Sequence, residues 1–345
     1  MEIYFAAGLS KDDVNYFKQK HRILSYYMDG RSLELSYLKE GMFLNNPDIG
    51  DIQIFLDSGA FSAFTKGVDV DIYEYIDYIK RHKDHLHLYA NLDVIGDSAA
   101  TWKNQKIMER AGLSPLPCFH YGEHTKWLKK YIRNYEYIAL GGMVPIQSQQ
   151  LQMWLDDLFE NYICGKDGLP RVKVHGFGMT TQSLILRYPW YSIDSTSWAI
   201  AGGIGDIMVP VVTWGIYDFQ KQPLLVNVSN RPGSVNTTTK GKHFEHCSEK
   251  VKEYVLQYIN SLGYVMGKSI FRKVKQTHKL KINEAWAEPK SDVSRRLLEI
   301  KKEIGISNSH QIRKLVNIHF YNQLGESCPK WPWAYKPKRK AKFNI

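Results

Sequence analysis

The sequence predicts a mixed α/β fold of the (β/α)8 TIM-barrel type, and three observations predict it. Five short apolar segments each end in a compact polar or glycine-rich cluster: 55–61 with Asp57-Ser58-Gly59-Ala60-Phe61, 89–93 with Asp93, 138–143 with Gly141-Gly142-Met143, 174–178 with Gly176-Phe177-Gly178, and 192–195 with Asp194. Parallel barrels carry their reactive groups at such strand ends, where the βα loops converge. Strand-like and helix-like stretches also alternate, which implies parallel pairing with right-handed crossovers. Finally, 345 residues, 43% of them hydrophobic, suffice for a barrel of ~250 residues and an appended region.

Residues 3–7 read as a first strand and 14–27 as a partly helical region. Residues 52–61, 89–94, 116–120, 137–140, 172–174 and 191–193 continue the strands. Helices fall at 71–82, 98–111 with Ser98 as its cap, 125–132, 149–162 and 181–188. Beyond Asp194 the pattern changes: 201–212 and 223–228 suggest a loop with short antiparallel strands, and 230–242 a loop. Ser248 opens a helix to about residue 262, and two more helices are expected within 291–324, before a mobile end. The expected organisation is a barrel over 1–265 and a small basic, helical C-terminal extension over 266–345. An open doubly wound sheet is the other α/β solution, but no three-glycine dinucleotide fingerprint follows a strand and no Walker-type loop is present. No nucleotide cofactor is therefore expected.

Composition narrows the function classes. No apolar run reaches ~18 residues, and the opening Met1-Glu2-Ile3-Tyr4-Phe5 lacks the order of a signal peptide, so no membrane partner is expected. Cys118, Cys164, Cys247 and Cys328 are scattered, which fits a reducing compartment; the expectation is the cytoplasm, that of the host if the protein is viral. The net charge of +11 favours a polyanionic partner. Basic residues crowd 268–281 and 330–340, where rings interleave with cations as they do in nucleic-acid-binding surfaces. Lys268, Arg272, Lys273, Lys275, Lys336, Lys338 and Arg339 are the candidate nucleic-acid contacts, with a solvated tail as the other reading of the same residues.

Asp57, Asp93 and Asp194 each end a strand that would otherwise be buried. Singly, each also suits a turn cap. Together, two carboxylates facing one pocket suit cleavage of a glycosidic bond, one attacking the sugar carbon and the other moving the proton. Asp93 can accept two hydrogen bonds from the ring N–H and amino group of a guanine-like base. Ser58 and Gly59 offer close backbone, and Gly141, Gly142, Gly176 and Gly178 leave room for a planar ring that Met143 or Met179 would cover; paired glycines also relieve crowding at strand ends. His120 is a further candidate for the base or a phosphate, and His175 a second one.

In the order of these motifs the chain resembles the tRNA-guanine transglycosylase superfamily over about 55–208. The matching positions are Asp57-Ser58-Gly59-Ala60-Phe61, Asp93, Gly141-Gly142, Gly176-Phe177-Gly178 and Asp194. The resemblance implies that Asp194 attacks C1′ of a guanosine nucleotide, that Asp57 is the general acid/base, and that Asp93 holds an incoming 7-deazaguanine. It also implies a structural zinc, for which His243, His246 or Glu245, Cys247 and His278 are the residues at hand in place of the family's three-cysteine cluster. The departures, including Ser-Gly-Ala-Phe for Ser-Gly-Gly-Phe, look more like the divergent branch found in phages and bacterial genomic islands, which places bases such as preQ0 in DNA. Three other readings stand beside it: a tRNA-directed enzyme, an inert nucleic-acid-binding barrel, and a simple sugar hydrolase, the last disfavoured by the basic end of the chain.

Overall fold

The computed structural model describes residues 1–6, 19–29, 35–45, 47–231, 242–288, 290 and 294–337. The chain divides into two compact units, Met1–Thr196 with Gly325–Ile345, and Ser197–Leu324. This division falls at Ser197, where the sequence suggested 266.

The first unit is built on eight parallel strands: β1 (Glu2–Ala6), β2 (His21–Ser25), β3 (Gln53–Asp57), β4 (Leu88–Tyr89), β5 (Cys118–His120), β6 (Tyr137–Gly141), β7 (Lys173–Gly176) and β8 (Ser192–Ser195). Their order in the sheet is β4-β3-β2-β1-β8-β7-β6-β5. Between the two edges there is no ladder, only a bridge from Ala90 to Leu116, where Leu116 N donates to Tyr89 O at 2.9 Å and Asn91 N to Leu116 O at 3.0 Å. The sheet is thus curled in a manner consistent with a (β/α)8 fold, without full closure by strand pairing.

Helices α1 (Leu35–Asn45), α2 (Ala60–Thr65), α3 (Ile72–His82), α4 (Ser98–Arg110), α5 (Lys126–Asn134), α6 (Ser148–Leu158) and α7 (Gln182–Arg187) alternate with these strands. On one face of the sheet, Leu24, Ile54 and Leu56 pack against Tyr75 and Ile79 of α3 and Met108 of α4. On the other, Tyr4, Ile23, Phe55, Ala90, Leu116, Cys118 and Ala139 form one buried cluster, with the His175 ring 4.9 Å from that of Phe55. Successive strand residues face opposite sides. The residue two places beyond each inward side chain therefore also faces inward, which sets Asp57, His120, Gly141 and Asp194 at the carboxyl ends of the inner face.

Two local expectations are corrected here. Residues 21–25 form β2, not a helix, because Arg22, Ile23 and Leu24 are all buried and a strand covered on both faces shows no alternation; residues 14–18 lie outside the described residues. α4 is capped by Asp97, whose carboxylate accepts from Ala99 N at 3.0 Å and Ala100 N at 2.9 Å, and not by Ser98.

The second unit contains α8 (Ser197–Ile204), β9 (Asp206–Val209), β10 (Val211–Thr213), β11 (Ile216–Asp218), β12 (Leu224–Asn227), α9 (Glu249–Ser261), β13 (Lys268–Lys275), β14 (Glu284–Trp286), β15 (Arg295–Glu303) and α10 (His310–Ser327), from which the chain re-enters the first unit at Gly325. β9 and β12 pair antiparallel, as the sequence suggested, over a core of Ile207, Val226, Val255, Ile259 and Val316. The expected helical extension is corrected: β13, β15 and β14 form an antiparallel sheet, and α10 is the only helix among the described residues of 266–345. β15 is rich in helix formers, but pairing on both sides overrides that propensity.

The chain end is not loose as far as residue 337. Tyr335 is buried, stacks on Tyr188 at 5.6 Å and donates to Asp156 Oδ1 at 2.8 Å, while Trp331 lies edge-on to Tyr191. These two rings serve packing within the first unit instead of waiting for bases. Among the described residues, no helix is long and apolar enough to cross a membrane. Replacing Asp97 with alanine should lower stability by about 1 kcal/mol in urea denaturation, with Asp97→Asn retaining most of it, because only the alanine strands the first amides of α4.

Candidate active site

Asp57 ends β3, and the turn after it folds back so that Gly59 N donates to Asp57 Oδ2 at 3.1 Å. That turn needs Gly59 at φ +74°, where a side chain would also run into Tyr27. Burial, then the negative charges of Asp194 and Asp93, push the Asp57 carboxyl up from 3.8 to about 7, against the pull of the Gly59 and Ser58 amides. Near neutral pH this group is divided between acid and base forms. The fields of Asp194, in β8, and of Asp93, in the loop four residues beyond β4, thus both reach Asp57.

Asp194, 7% exposed, is fixed as an acceptor. Its Oδ1 takes a hydrogen bond from Gly178 N at 2.9 Å and another from His175 Nε2 at 3.2 Å. Gly178 reaches it from φ +64°, which explains that glycine better than room for a ligand does. Behind His175 the chain continues: Nδ1 lies 2.5 Å from Ser192 Oγ, which lies 2.6 Å from the Tyr137 hydroxyl. With the ring proton on Nε2, Tyr137 donates to Ser192, Ser192 to His175 and His175 to Asp194, so every link is satisfied. Burial pushes the Tyr137 phenol up, which keeps it a donor.

Asp93 is nine-tenths buried, its Oδ2 lies 3.2 Å from His120 Nε2, and its Oδ1 is buried with no hydrogen-bond partner among the described residues. A buried carboxylate oxygen left unpaired is a ready acceptor for a ligand's N–H. His120 is held from its other side by Glu123, with Nδ1 at 3.4 Å from Oε1. Burial opposes charge on this ring, but Cys118 and Asp93 outweigh it and hold its pKa well above the usual value. Burial pushes the Cys118 thiol up to about 12, so it stands as a neutral thiol beside the ring, whose two nitrogens face the Asp93 and Glu123 carboxyl groups.

Asp93, Cys118 and His120 place one ligand atom each within 4.8 Å of one another, the one such group of metal-ligating type among the described residues. A metal there would have to displace protons from both the thiol and the imidazole, so the group is better described as a hydrogen-bonded ion pair. The residues proposed for zinc do not assemble. Both His243 nitrogens are used, by the Ser229 carbonyl at 3.0 Å and the Glu245 amide at 3.2 Å, and His278 pairs with Glu284 at 2.7 Å.

Of the remaining expected base contacts, Ser58 is buried with its Oγ accepting from Ala60 N, and Met143 is buried. Gly141 leaves space that Cys118 and His120 already fill: a Cβ would stand 2.8 Å from Sγ and 3.0 Å from the imidazole. Gly142 takes φ +66° beside Tyr121, and Gly176 backs onto Trp190. Lys268, Arg272, Lys273 and Lys275 are exposed on β13, an edge strand, with Arg272 3.9 Å from Glu284. Lys336 is exposed, and Lys338 and Arg339 lie outside the described residues. Sequence reasoning gave no role to Ser192, Tyr137 or Glu123; the i, i+2 spacing of Ser192 and Asp194 on one strand face was the available signal. The chain matches no model of a known protein family and no curated protein.

The raised Asp57 carboxyl has a sign that can be measured. Between the unfolded value of 3.8 and the folded value of about 7, the native state binds more protons, so stability falls as pH rises through that window and is level above it. Asp57→Asn should lose this slope: little different from the parent near pH 4, more stable near pH 8, as read by thermal unfolding across pH. Ser192→Ala should cost about 1–3 kcal/mol in denaturant unfolding, because it leaves both the Tyr137 hydroxyl and His175 Nδ1 without a partner.

Proposed function

We propose that this protein exchanges guanine in a nucleic acid for a 7-deazaguanine base of the preQ0 type, with DNA as the polymer, through a covalent aspartyl-nucleotide intermediate. What supports the reading most is the pairing of a buried carboxyl pushed up to about 7, Asp57, with a second carboxylate whose field reaches it and whose Oδ1 is fixed by His175 Nε2 and Gly178 N, Asp194. On this reading the curled sheet acts as a closed barrel with its mouth at these residues, and the reaction takes place in the cytoplasm.

Asp194 presents its other oxygen to C1′. As the new C1′–O bond forms, the C1′–N9 bond breaks, and Asp57 in its acid form delivers the proton that lets guanine leave neutral. The ionised Asp57 then takes the N9 proton of the incoming base, whose nitrogen displaces Asp194 and restores the carboxylate. A group with a pKa near 7 suits both halves of this cycle. The free Asp93 oxygen and its His120-held partner would accept from the base's donor edge. No cofactor is required, because the glycosyl group moves between two nitrogens with no change of oxidation state. A duplex substrate must release its guanine from the stack, and basic surface favours holding the opened strand.

The test is incubation with labelled 7-deazaguanine and either DNA or tRNA, followed by digestion and nucleoside mass analysis. The expected result is label in DNA, with Asp194→Ala lowering exchange by at least about a thousandfold. Label in tRNA alone would move the substrate to tRNA, and binding of DNA without exchange in the parent protein would make it an inert binder.

A further inference from the structure

The second unit holds a cavity of about 490 Å³ whose ionisable lining is wholly basic: Arg231, Lys301, His310, Arg313 and Lys314. We propose that this cavity binds a phosphate group, and that the phosphate belongs to a nucleic-acid backbone. The choice of backbone as the source rests on the base-exchange reading; the phosphate chemistry does not.

Arg313 is the central residue. It is 6% exposed, and its guanidinium is held only by neutral carbonyls: Nε donates to Gly202 O at 2.8 Å, and Nη1 to Ile306 O at 2.7 Å and Ser307 O at 3.4 Å. No carboxylate among the described residues pairs with it, and Nη2 donates to none of them. Buried charges ordinarily carry a counter-charge. The carboxylates whose field reaches Arg313, Glu299 and Asp206, are already engaged, by Ser269 Oγ at 2.7 Å and Asn227 Nδ2 at 2.8 Å. Burial, and then the like charge of Arg231, push Arg313 down to about 10, so it remains a cation at neutral pH beside a second one.

The fold concentrates this charge. Gly202 lets α8 lie directly against α10, since a Cβ there would stand 2.9 Å from Lys314 N, and that close approach sets Arg313 and Lys314 in the wall. The amino end of α10, capped by Ser309 accepting from Ile312 N, supplies Ser307, Asn308 and His310 to the same wall. An 18-residue helix adds its positive end to that of the side chains. Two or more cations, a helix amino end and room for more than one phosphate are the features of a backbone-holding site.

The test uses the full chain and the exposed or half-buried cations, not Arg313, which also holds backbone. Binding of a fluorescent DNA duplex is measured between low and physiological salt, with no free base present, for the parent, Arg231→Gln and Lys301→Gln; thermal unfolding with and without inorganic phosphate is read in parallel and confirms that the variants fold. The expected result is weaker binding to every sequence, and a slope of log K against log salt reduced by about 1 for each cation replaced. Stabilisation by phosphate in the parent but not the variants, with DNA affinity unchanged, would overturn the backbone as the source. Variants indistinguishable from the parent in both measurements would overturn the site. An enzyme that exchanges bases but binds DNA independently of the cavity separates the two readings, as does a protein that binds through the cavity and never exchanges.

Discussion

The structure turns on a desolvated carboxyl that sits in the field of two others. Three aspartates on one curled sheet and its loops, two of whose charges reach the third, cannot all be charged at low cost in a partly dry environment. The arrangement resolves this unevenly. Asp194 receives two donors, Asp93 receives the charged His120, and Asp57, with only turn amides to help it, takes up the proton. One carboxylate fixed by two donors, and in its field a carboxyl pushed up to about 7, is what acid/base and nucleophilic work require of a pair.

What keeps the three in place lies beneath them. The period of two along each strand ties the mouth to the core, so that Phe55 under Asp57, His175 beside Asp194 and Cys118 under His120 are both packing and support. The chain from Tyr137 through Ser192 and His175 gives Asp194 a fixed orientation that a solvent-exposed carboxylate would lack. The inner face is therefore apolar around Phe55 and hydrogen-bonded around Asp194, on adjoining levels.

Much of this was legible in the residues. The alternation of strand and helix, the polar cluster closing each apolar run and the aspartates at 57, 93 and 194 depend on local pattern, and local pattern is what a single sequence carries. β2 was not, because both its faces are buried and it shows no period; β15 was not, because its Leu, Glu and Lys favour helix until two neighbours pair with it. The aromatic and basic end looked like a nucleic-acid strap, yet Tyr335 and Trp331 are packed in the first unit. Of the two readings the sequence left for the glycines, room for a ring or relief of crowding, the second is the one their surroundings favour. Gly178 serves by its left-handed backbone and Gly141 by yielding space to His120, neither of which composition reveals.

The central claim is that Asp57 and Asp194 act on one another. It is tested most directly by following the Asp57 carboxyl carbon by NMR across pH in the parent and in Asp194→Asn, a change that removes the charge and leaves an oxygen for the Gly178 amide. The expected result is a midpoint near 7 in the parent and a clear downward move in the variant. An ordinary carboxylate midpoint in the parent, or one that ignores the substitution, would contradict it.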